Sequence, residues 1–371
     1  MKSKFLLSAI CILTSLLGAH ATVWTVNNNG NSPGQFTTLQ AAINAASNGD
    51  SIYVEPSPVD YGNITVPRKL FLFGGGGAPV SYQVNNRTTI DGVTFNTQTS
   101  FPVSSSSGSQ VEGFYIGGGG VNVSCNMSYI TVMRNEITGG LNICGVDTNI
   151  IIADNILSNC QVYFTSNFNN DNTILVANNF FNMSGSQAMF ENNGSQDQET
   201  GVQFLNNIVY GNSTSLSNSD AFFRTLNDAS IKNNIFYCQG GTGAFVSGCN
   251  GCTFQNNLTY SPNTTQTLPD AGNGGTGNIN NTSPGFTNGP AVYTVISSDQ
   301  LYNYNWHLTS GSAGHNAGSD GTDVGIYGGP YPFPNFETIT RLPQMRFLQI
   351  SNPTIQPGAN VHINVIGTTH N

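Results

Sequence analysis

The residues best suited to chemistry in this chain are a few charged side chains scattered among neutral ones. Four of them, Asp220, Arg224, Asp228 and Lys232, lie in one short stretch. A polysaccharide lyase needs an Arg or Lys base beside carboxylates, and a glycoside hydrolase needs paired carboxylates as acid and base. In a lyase, Arg224 or Lys232 would be the base, assisted by the two aspartates. Charged residues in such loops are more often solvated turn residues, and we favour that interpretation over a lyase site.

Two further acidic segments could hold a ligand. Residues 191–199 carry three carboxylates in a polar loop, and Asp320 and Asp323 lie in a glycine-rich stretch that could bind calcium. Calcium is held by six to eight oxygens, for which two carboxylates are few. A capping turn is therefore the favoured interpretation of residues 318–329, and we predict no metal site and no cofactor.

Six cysteines remain after the first 21 residues, and they permit up to three disulfides. They are Cys125, Cys144, Cys160, Cys238, Cys249 and Cys252. The last two have the spacing of a redox or zinc half-site, but a second pair with matching spacing is missing. Disulfides, or thiols packed in the core, are the favoured interpretation, and the pairing stays open.

The elements that would position these residues repeat through the middle of the chain. Six segments share two or three alternating apolar residues, a polar pair and two more mostly apolar residues. They are residues 130–137, 151–157, 174–181, 202–209, 231–236 and 254–258. The polar pair recurs at steps of 19 to 28 residues. This spacing predicts coils of three short strands and three bends, stacked in parallel so that successive coils complete each other's backbone hydrogen bonds.

Asparagine suits the bends because it tolerates a left-handed backbone and its amide can bond along the stack. An inward asparagine in each coil would form a ladder that satisfies its buried amide through its neighbours. We therefore assign a scaffold role to Asn135, Asn155, Asn178, Asn179, Asn206, Asn207, Asn233, Asn234, Asn256 and Asn257.

The start of the chain indicates export. Lys2 and Lys4 precede an apolar run over residues 5–17, and Ala19 and Ala21 form a small-residue cleavage site. These features are typical of a secretory signal peptide. We predict a signal peptide over residues 1–21, a solenoid over residues 22–330 and a short β appendage over residues 331–371. The expected location is the periplasm or the medium.

Composition excludes some partners. The chain has 10 Lys+Arg against 19 Asp+Glu and a net charge of −9, which disfavours nucleic acid because its binding relies on basic residues at phosphates. No later apolar segment is long enough to cross a membrane. Only 8% of the residues are charged, but the 38% that are hydrophobic occur in regular short runs. We expect a folded, turn-rich monomer.

Both ends of the predicted solenoid carry a family resemblance. Residues 36–46 form an amphipathic pattern, which predicts a helix that covers the open end of the stack. Together with the strands expected at 51–54, 63–66 and 70–74, this segment resembles the opening of the pectin-lyase-like parallel β-helices. Residues 306–310 and 318–329 resemble the closing segment of many exported bacterial β-helix proteins. The resemblance covers roughly residues 23–330.

The resemblance implies an all-β, single-stranded, right-handed parallel β-helix with an N-terminal capping helix. The short C-terminal β appendage is predicted from two alternating apolar runs in residues 342–367, outside the resemblance. The family includes lyases, hydrolases, esterases, epimerases and proteins without activity, so the fold alone does not choose a function. The Asn-Thr-Asp, Asp-Asp and Gly-His-Gly signatures of polygalacturonases and the Arg-x-Pro-x-x-Arg pattern of pectate lyases are missing.

Three functions remain open at this point. The first is an exported, non-catalytic protein that contacts a polysaccharide or cell-surface glycan, favoured by long, weakly charged faces rich in Asn, Ser and Thr. The second is a polysaccharide lyase or glycoside hydrolase that acts on an acidic polysaccharide. The third is a structural or adhesive component of the cell surface. Convergence of several carboxylates and a basic residue in one groove would favour the second.

Overall fold

The computed structural model describes most of the chain after the predicted signal peptide. The described residues are 21–30, 34–76, 87–98, 104–144, 146–165, 173–183, 189–192, 201–211, 221–238, 246–262, 265, 267–270, 272–290, 296–333, 344–350 and 363–368. The predicted signal peptide, except for Ala21, lies outside them.

Short parallel strands stack into three faces, here named A, B and C. Face A consists of Val23–Val26, Ser51–Val54, Phe71–Gly74, Gln110–Glu112, Thr131–Met133, Ile150–Ala153, Ile174–Ala177, Val202–Leu205, Ser230–Lys232 and Thr253–Gln255. Face B consists of Glu136–Ile137, Ile156–Ser158, Phe180–Met183, Ile208–Gly211, Ile235–Cys238 and Leu258–Tyr260. Face C consists of Asn63–Val66, Leu141–Ile143, Val162–Phe164, Phe190–Asn192, Phe223–Arg224 and Val246–Ser247. The longer strands Thr89–Phe95 and Tyr115–Val123 run from face B into face C.

Each coil passes through A, B and C in turn and returns to A one rung further along the stack. Val132, for example, is in register with Val111 on one side and Ile152 on the other. Because side chains alternate across a strand, one set from each face fills a continuous apolar interior, and these side chains are buried. The parallel β-helix predicted from the repeats is confirmed.

The N-terminal end of the stack is covered by a helix, as predicted. Helix α1 spans Leu39–Ala45 and begins at Thr38, whose side chain accepts a hydrogen bond from the Ala41 N–H. Leu39, Ala42 and Ile43 are buried against the first coils. Without such a cover, the first coil would expose its apolar interior to water.

A disulfide joins Cys125 to Cys144, two residues in neighbouring coils with a Cα–Cα distance of 4.8 Å. It lies at the bend that leads from face C back to face A. The thiols of Cys160, Cys238, Cys249 and Cys252 are free and buried. One of the possible disulfides is therefore formed.

The outer side of face B is covered by the chain's own C-terminal part. We call residues 296–333 the belt. It begins with helix α2, Ser298–Leu301, and contains the strand Asn305–Leu308, which pairs antiparallel with Phe286–Asn288. The belt packs on outward side chains of face B that form a second apolar cluster, namely Ile156, Phe180, Ile208, Tyr210, Ile235, Tyr237 and Leu258. The predicted solenoid range, 22–330, thus contains both the coils and the segment that folds back over them.

The centre of the belt is Trp306, which is fully buried. Its ring lies 4.6 Å from that of Phe180 and 5.5 Å from that of Tyr210, both edge to face. Its indole N–H donates to the Leu301 carbonyl at 3.2 Å. Edge-to-face aromatic contacts add to the free energy gained by burial. The belt is therefore part of the folded core.

Two short antiparallel pairs complete the described chain. Thr97–Gln98 pairs with Ser104–Ser105, and Gln344–Ile350 pairs with Ile363–Thr368 in the predicted C-terminal β appendage. Among the described residues, no helix is long and apolar enough to cross a membrane.

Candidate functional site

The charged residues singled out in the stretch 220–232 do not gather in one site within the described part of the chain. Of the three carboxylates in residues 191–199, Glu191 is described, and Asp197 and Glu199 lie outside the described residues. Asp220 lies outside the described residues. Arg224 projects from face C, where its guanidinium Nη1 is 2.8 Å from the Glu191 carboxylate. Lys232 ends a strand of face A, and Asp228 is exposed in the bend between these faces. Within the described part of the chain, no hydrogen bond or ion pair joins Arg224, Asp228 and Lys232 to one another.

The two C-terminal aspartates are engaged in turn contacts. One oxygen of Asp320 accepts hydrogen bonds from the N–H and hydroxyl of Thr322, at 3.1 and 2.8 Å. Asp323 accepts the Asn316 N–H at 2.8 Å and lies 2.8 Å from His315 Nδ1. Among the described residues, no three His, Cys, Asp or Glu side chains gather as they would at a metal ion. This geometry fits a capping turn.

Six of the ten scaffold asparagines form one buried ladder. Asn135, Asn155, Asn179, Asn207, Asn234 and Asn257 stack between faces A and B, and Asn278 continues the row. Asn179 is representative: its amide nitrogen donates to the next rung's Asn207 Oδ1 at 3.1 Å, and its own Oδ1 accepts the Asn155 N–H at 3.0 Å. The ladder thus satisfies the buried amides through one another.

The other four have a different role. Asn178, Asn206, Asn233 and Asn256 precede the ladder residues and have positive φ angles of 53–58°. They face outward and hold the belt. Asn178 donates to the carbonyls of Ile326 and Gly328 at 2.9 and 2.6 Å, and Asn256 donates to that of Ala317 at 2.9 Å. The sequence placed both members of each pair in one ladder, whereas the structure assigns them to opposite sides of the backbone.

Two networks of charged residues, which the sequence analysis did not predict, join segments of the scaffold. Arg134 contacts Glu112 at 3.1 Å and Asp154 at 3.6 Å, and so ties three successive coils together. Arg87 pairs with Asp299 of helix α2 and lies 3.9 Å from Glu136. The second network fastens the belt to the early coils. Burial acts against the ionised guanidinium of Arg87, but the two carboxylates outweigh it and raise its pKa.

An open groove lies on the outer side of face A. It has a volume of about 360 Å³ and is mostly apolar. Ile151 and Leu175, half-buried on adjacent rungs, form its floor. Polar side chains border it, namely Thr131, Asn149, Thr173 and Gln203, and Tyr129 stands at one end. An apolar floor with a few polar groups around it is the usual composition of a ligand site.

Tyr129 is the most exposed large hydrophobic residue described, at 64%. Its φ of 57° is rarely adopted by a bulky residue and costs about 1–3 kcal/mol, which contacts of the surrounding structure must offset. The Tyr129 N–H donates to the Thr148 carbonyl, the Thr148 N–H donates to the Met127 carbonyl, and the Met127 N–H donates to Asp147. The Cys125–Cys144 disulfide closes the same bend. Asn149, level with Tyr129 in the next coil, has a similar φ of 55°, so the bend requires this conformation in both coils. A bulky, exposed aromatic residue at such a position makes Tyr129 a candidate for a functional role.

A second aromatic feature lies on the same face, nearer the N-terminus. Tyr53 and Phe73 are cross-strand partners with stacked rings, 5.2 Å apart and inclined by 25°. Phe71, beside them, has the Lys69 ammonium 5.4 Å from its ring centre. Phe71 precedes Gln110 and Thr131 in the same outward row. At about 4.8 Å per rung, it lies roughly 10 Å from the wall of the groove.

Sequence reasoning missed this groove, although a signal was present. The runs Ile150 to Ile152 and Ile174 to Val176 are continuously apolar where a strand with one wet face would alternate. Such runs indicate strands with apolar groups on both sides of the sheet. Comparisons with protein-family models and with curated proteins give no match for this chain. The pectin-lyase-like resemblance therefore stays a prediction.

Proposed function

We propose that this protein is an exported, non-catalytic β-helix protein that binds glycan in the groove of face A. The observation that carries the proposal is the exposed ring of Tyr129, on a backbone held at positive φ, beside the apolar floor of Ile151 and Leu175. The C–H faces of a sugar ring pack against aromatic and aliphatic groups, while its hydroxyls need polar partners. Thr131 and Gln203 can supply those partners at the rim.

The lining also favours a neutral glycan. Its described residues carry no ionisable group except the Tyr129 phenol, so a charged sugar would lack a counter-charge there. The chain's net charge of −9 adds a repulsion against acidic polymers. An enzyme acting in this groove would need a titratable side chain within reach of the glycosidic bond. The composition of the groove therefore supports binding rather than cleavage.

The experiment is a retention and turnover assay with the full chain. Soluble and immobilised neutral polysaccharides are compared with acidic ones, and reducing ends and the absorbance of unsaturated products are followed in the same samples. We expect retention on a neutral polymer without release of products. Cleavage of any polymer, or a lack of retention on every polymer tested, would overturn the proposal. Self-association or cell attachment without glycan retention would favour an adhesive role instead.

A further inference from the structure

The feature that the proposed function leaves unused is the pair Cys249 and Cys252, in the last complete bend between faces C and A. Both sulfurs contact the backbone of Leu226, one coil earlier. The Leu226 N–H donates to Cys249 Sγ at 3.3 Å, and Cys252 Sγ donates to the Leu226 carbonyl at 3.4 Å. The two sulfurs thus contact the backbone of the same residue in the neighbouring coil, one at its N–H and the other at its carbonyl.

We infer that Cys249 and Cys252 form a redox-active pair that closes a reversible disulfide by exchange with a disulfide-bearing oxidant. The same chain already contains one cystine, Cys125–Cys144. An environment that oxidises that pair also presents an oxidant to the second one.

The surroundings distinguish the two thiols. Cys249 donates to the Phe223 carbonyl at 3.5 Å, while its sulfur accepts the Leu226 N–H. A hydrogen bond with Cys252 lowers the pKa of Cys249; burial opposes this, and the Leu226 N–H reinforces it. The same contact with Cys249, together with burial, raises the pKa of Cys252. Since the thiolate is the nucleophile, Cys249 is the attacking residue and Cys252 the resolving one.

The difference in solvent exposure between the two thiols also favours Cys249 as the attacking residue. Cys249 is 5% exposed and lies between the exposed residues Gly248 and Asn250, whereas Cys252 is fully buried. By contrast, Cys160 and Cys238 are fully or almost fully buried, and burial raises the pKa of both, with no second thiol contributing to the shift. They provide internal controls for a buried thiol whose pKa is not affected by a second thiol.

The reaction balances as two thiol–disulfide exchanges. The Cys249 thiolate attacks one sulfur of the oxidant, forms a mixed disulfide and releases the other sulfur as a thiolate. Cys252 then loses its proton to solvent, and its thiolate attacks the Cys249 sulfur and displaces the second thiolate of the oxidant. The pair loses two electrons and two protons, and the oxidant's disulfide is reduced to two thiols.

The test uses the full chain, reduced mildly and then titrated with glutathione disulfide. Remaining thiols are alkylated after denaturation, and the peptides are mapped by mass. We expect the peptide that contains Cys249 and Cys252 to lose the mass of two hydrogen atoms and to escape alkylation. Cys160 and Cys238 should be alkylated throughout. Persistence of both thiols at Cys249 and Cys252, or pairing of either with Cys238, would overturn the inference.

Two matched variants test the order of attack. In Cys252→Ser, exchange should stop at a glutathione adduct on Cys249. In Cys249→Ser, the adduct on Cys252 should form about tenfold more slowly, because the thiolate is the nucleophile and that of Cys252 is disfavoured. Cys238→Ser serves as the control and should leave the exchange unchanged. Adducts of equal amount in both single variants would contradict the assigned roles. If a variant folds poorly, the titration of the unaltered chain still tests whether Cys249 and Cys252 form a disulfide.

Discussion

Faces A and B of the solenoid both carry apolar side chains on their outer surfaces, but among the described residues a cover is found over face B alone. On face B, Ile156, Phe180 and Ile208 are buried beneath the belt. On face A, Ile151 and Leu175 are half-buried and line an open groove. Both faces belong to the same coils, so the difference between them is whether another segment of the chain packs on their outer side.

This difference separates scaffold from candidate site. Apolar groups under the belt contribute to folding, and the belt is held by specific contacts, such as those of Asn178 with the carbonyls of Ile326 and Gly328. The groove on face A has no described cover, and it exposes a constrained tyrosine. An uncovered apolar patch bordered by polar groups commonly marks a binding surface. Four predictions test this difference, beginning with the largest expected loss of stability in a single variant.

Removing the centre of the belt should cost the most stability. Trp306→Ala deletes a buried ring that contacts Phe180 and Tyr210, and we expect a loss of about 3–5 kcal/mol in the free energy of unfolding. The matched change on the open face, Leu175→Ala, removes a half-buried side chain and should cost about 1 kcal/mol. Urea unfolding measures both. Equal losses would mean that the belt contributes no more than the open face.

Breaking the ladder should have the next largest effect. Asn179→Ala orphans the Asn155 N–H and the carbonyls of Ile152 and Ala177, which the amide now bonds. We expect a loss of about 2–3 kcal/mol in the free energy of unfolding. The control is Asn142→Ala, which removes a half-buried amide that donates to Asn122 at 2.8 Å. If both variants unfold at the same urea concentration, the internal ladder contributes no more to stability than a half-buried asparagine contact on the outer surface.

The fold could be predicted from sequence because its signal is local and repeated. Each coil carries its own apolar strand and polar pair, so six imperfect copies fix the stacking and the capping helix follows from the exposed end. The ladder was predictable for the same reason. What one coil cannot show is which member of a pair, such as Asn178 and Asn179, points inward, because that depends on the sign of φ at the bend.

The belt and the groove were harder to predict because they depend on contacts far apart in sequence. Asn178 bonds to Gly328, 150 residues later, and no local pattern encodes that contact. Paired apolar residues after each asparagine pair, such as Phe180 and Phe181, were a usable signal. They place one ring inside and one outside, and a strand that is apolar on both sides needs a cover.

The bend beside the groove should respond to pH. Burial raises the pKa of Asp147 to about 7, although N–H groups of Met127 and Cys144 act in the opposite direction. The folded state then binds more protons than the unfolded state between about pH 4 and 7, so stability from this group falls as pH rises through that window. The slope should reach about 1 kcal/mol per pH unit.

Asp147→Asn should remove that slope, whatever its effect on stability at a single pH. Urea unfolding at several pH values between 4 and 8 measures the change. Asp60→Asn, at an exposed position, is the control and should leave the slope intact. If Asp147→Asn keeps the slope, the pH dependence of stability arises from other groups and not from the bend that contains Tyr129.

The central claim is that face A binds glycan through Tyr129, and calorimetric titration of a retained neutral oligosaccharide tests it most directly. Tyr129→Asn removes the ring while tolerating the positive φ, and Tyr163→Asn is the matched change of a half-buried tyrosine on face C. We predict about a tenfold loss of affinity for Tyr129→Asn, from about 1.4 kcal/mol of lost packing, and no change for Tyr163→Asn. Unchanged affinity in Tyr129→Asn, or equal losses in both, would contradict the account.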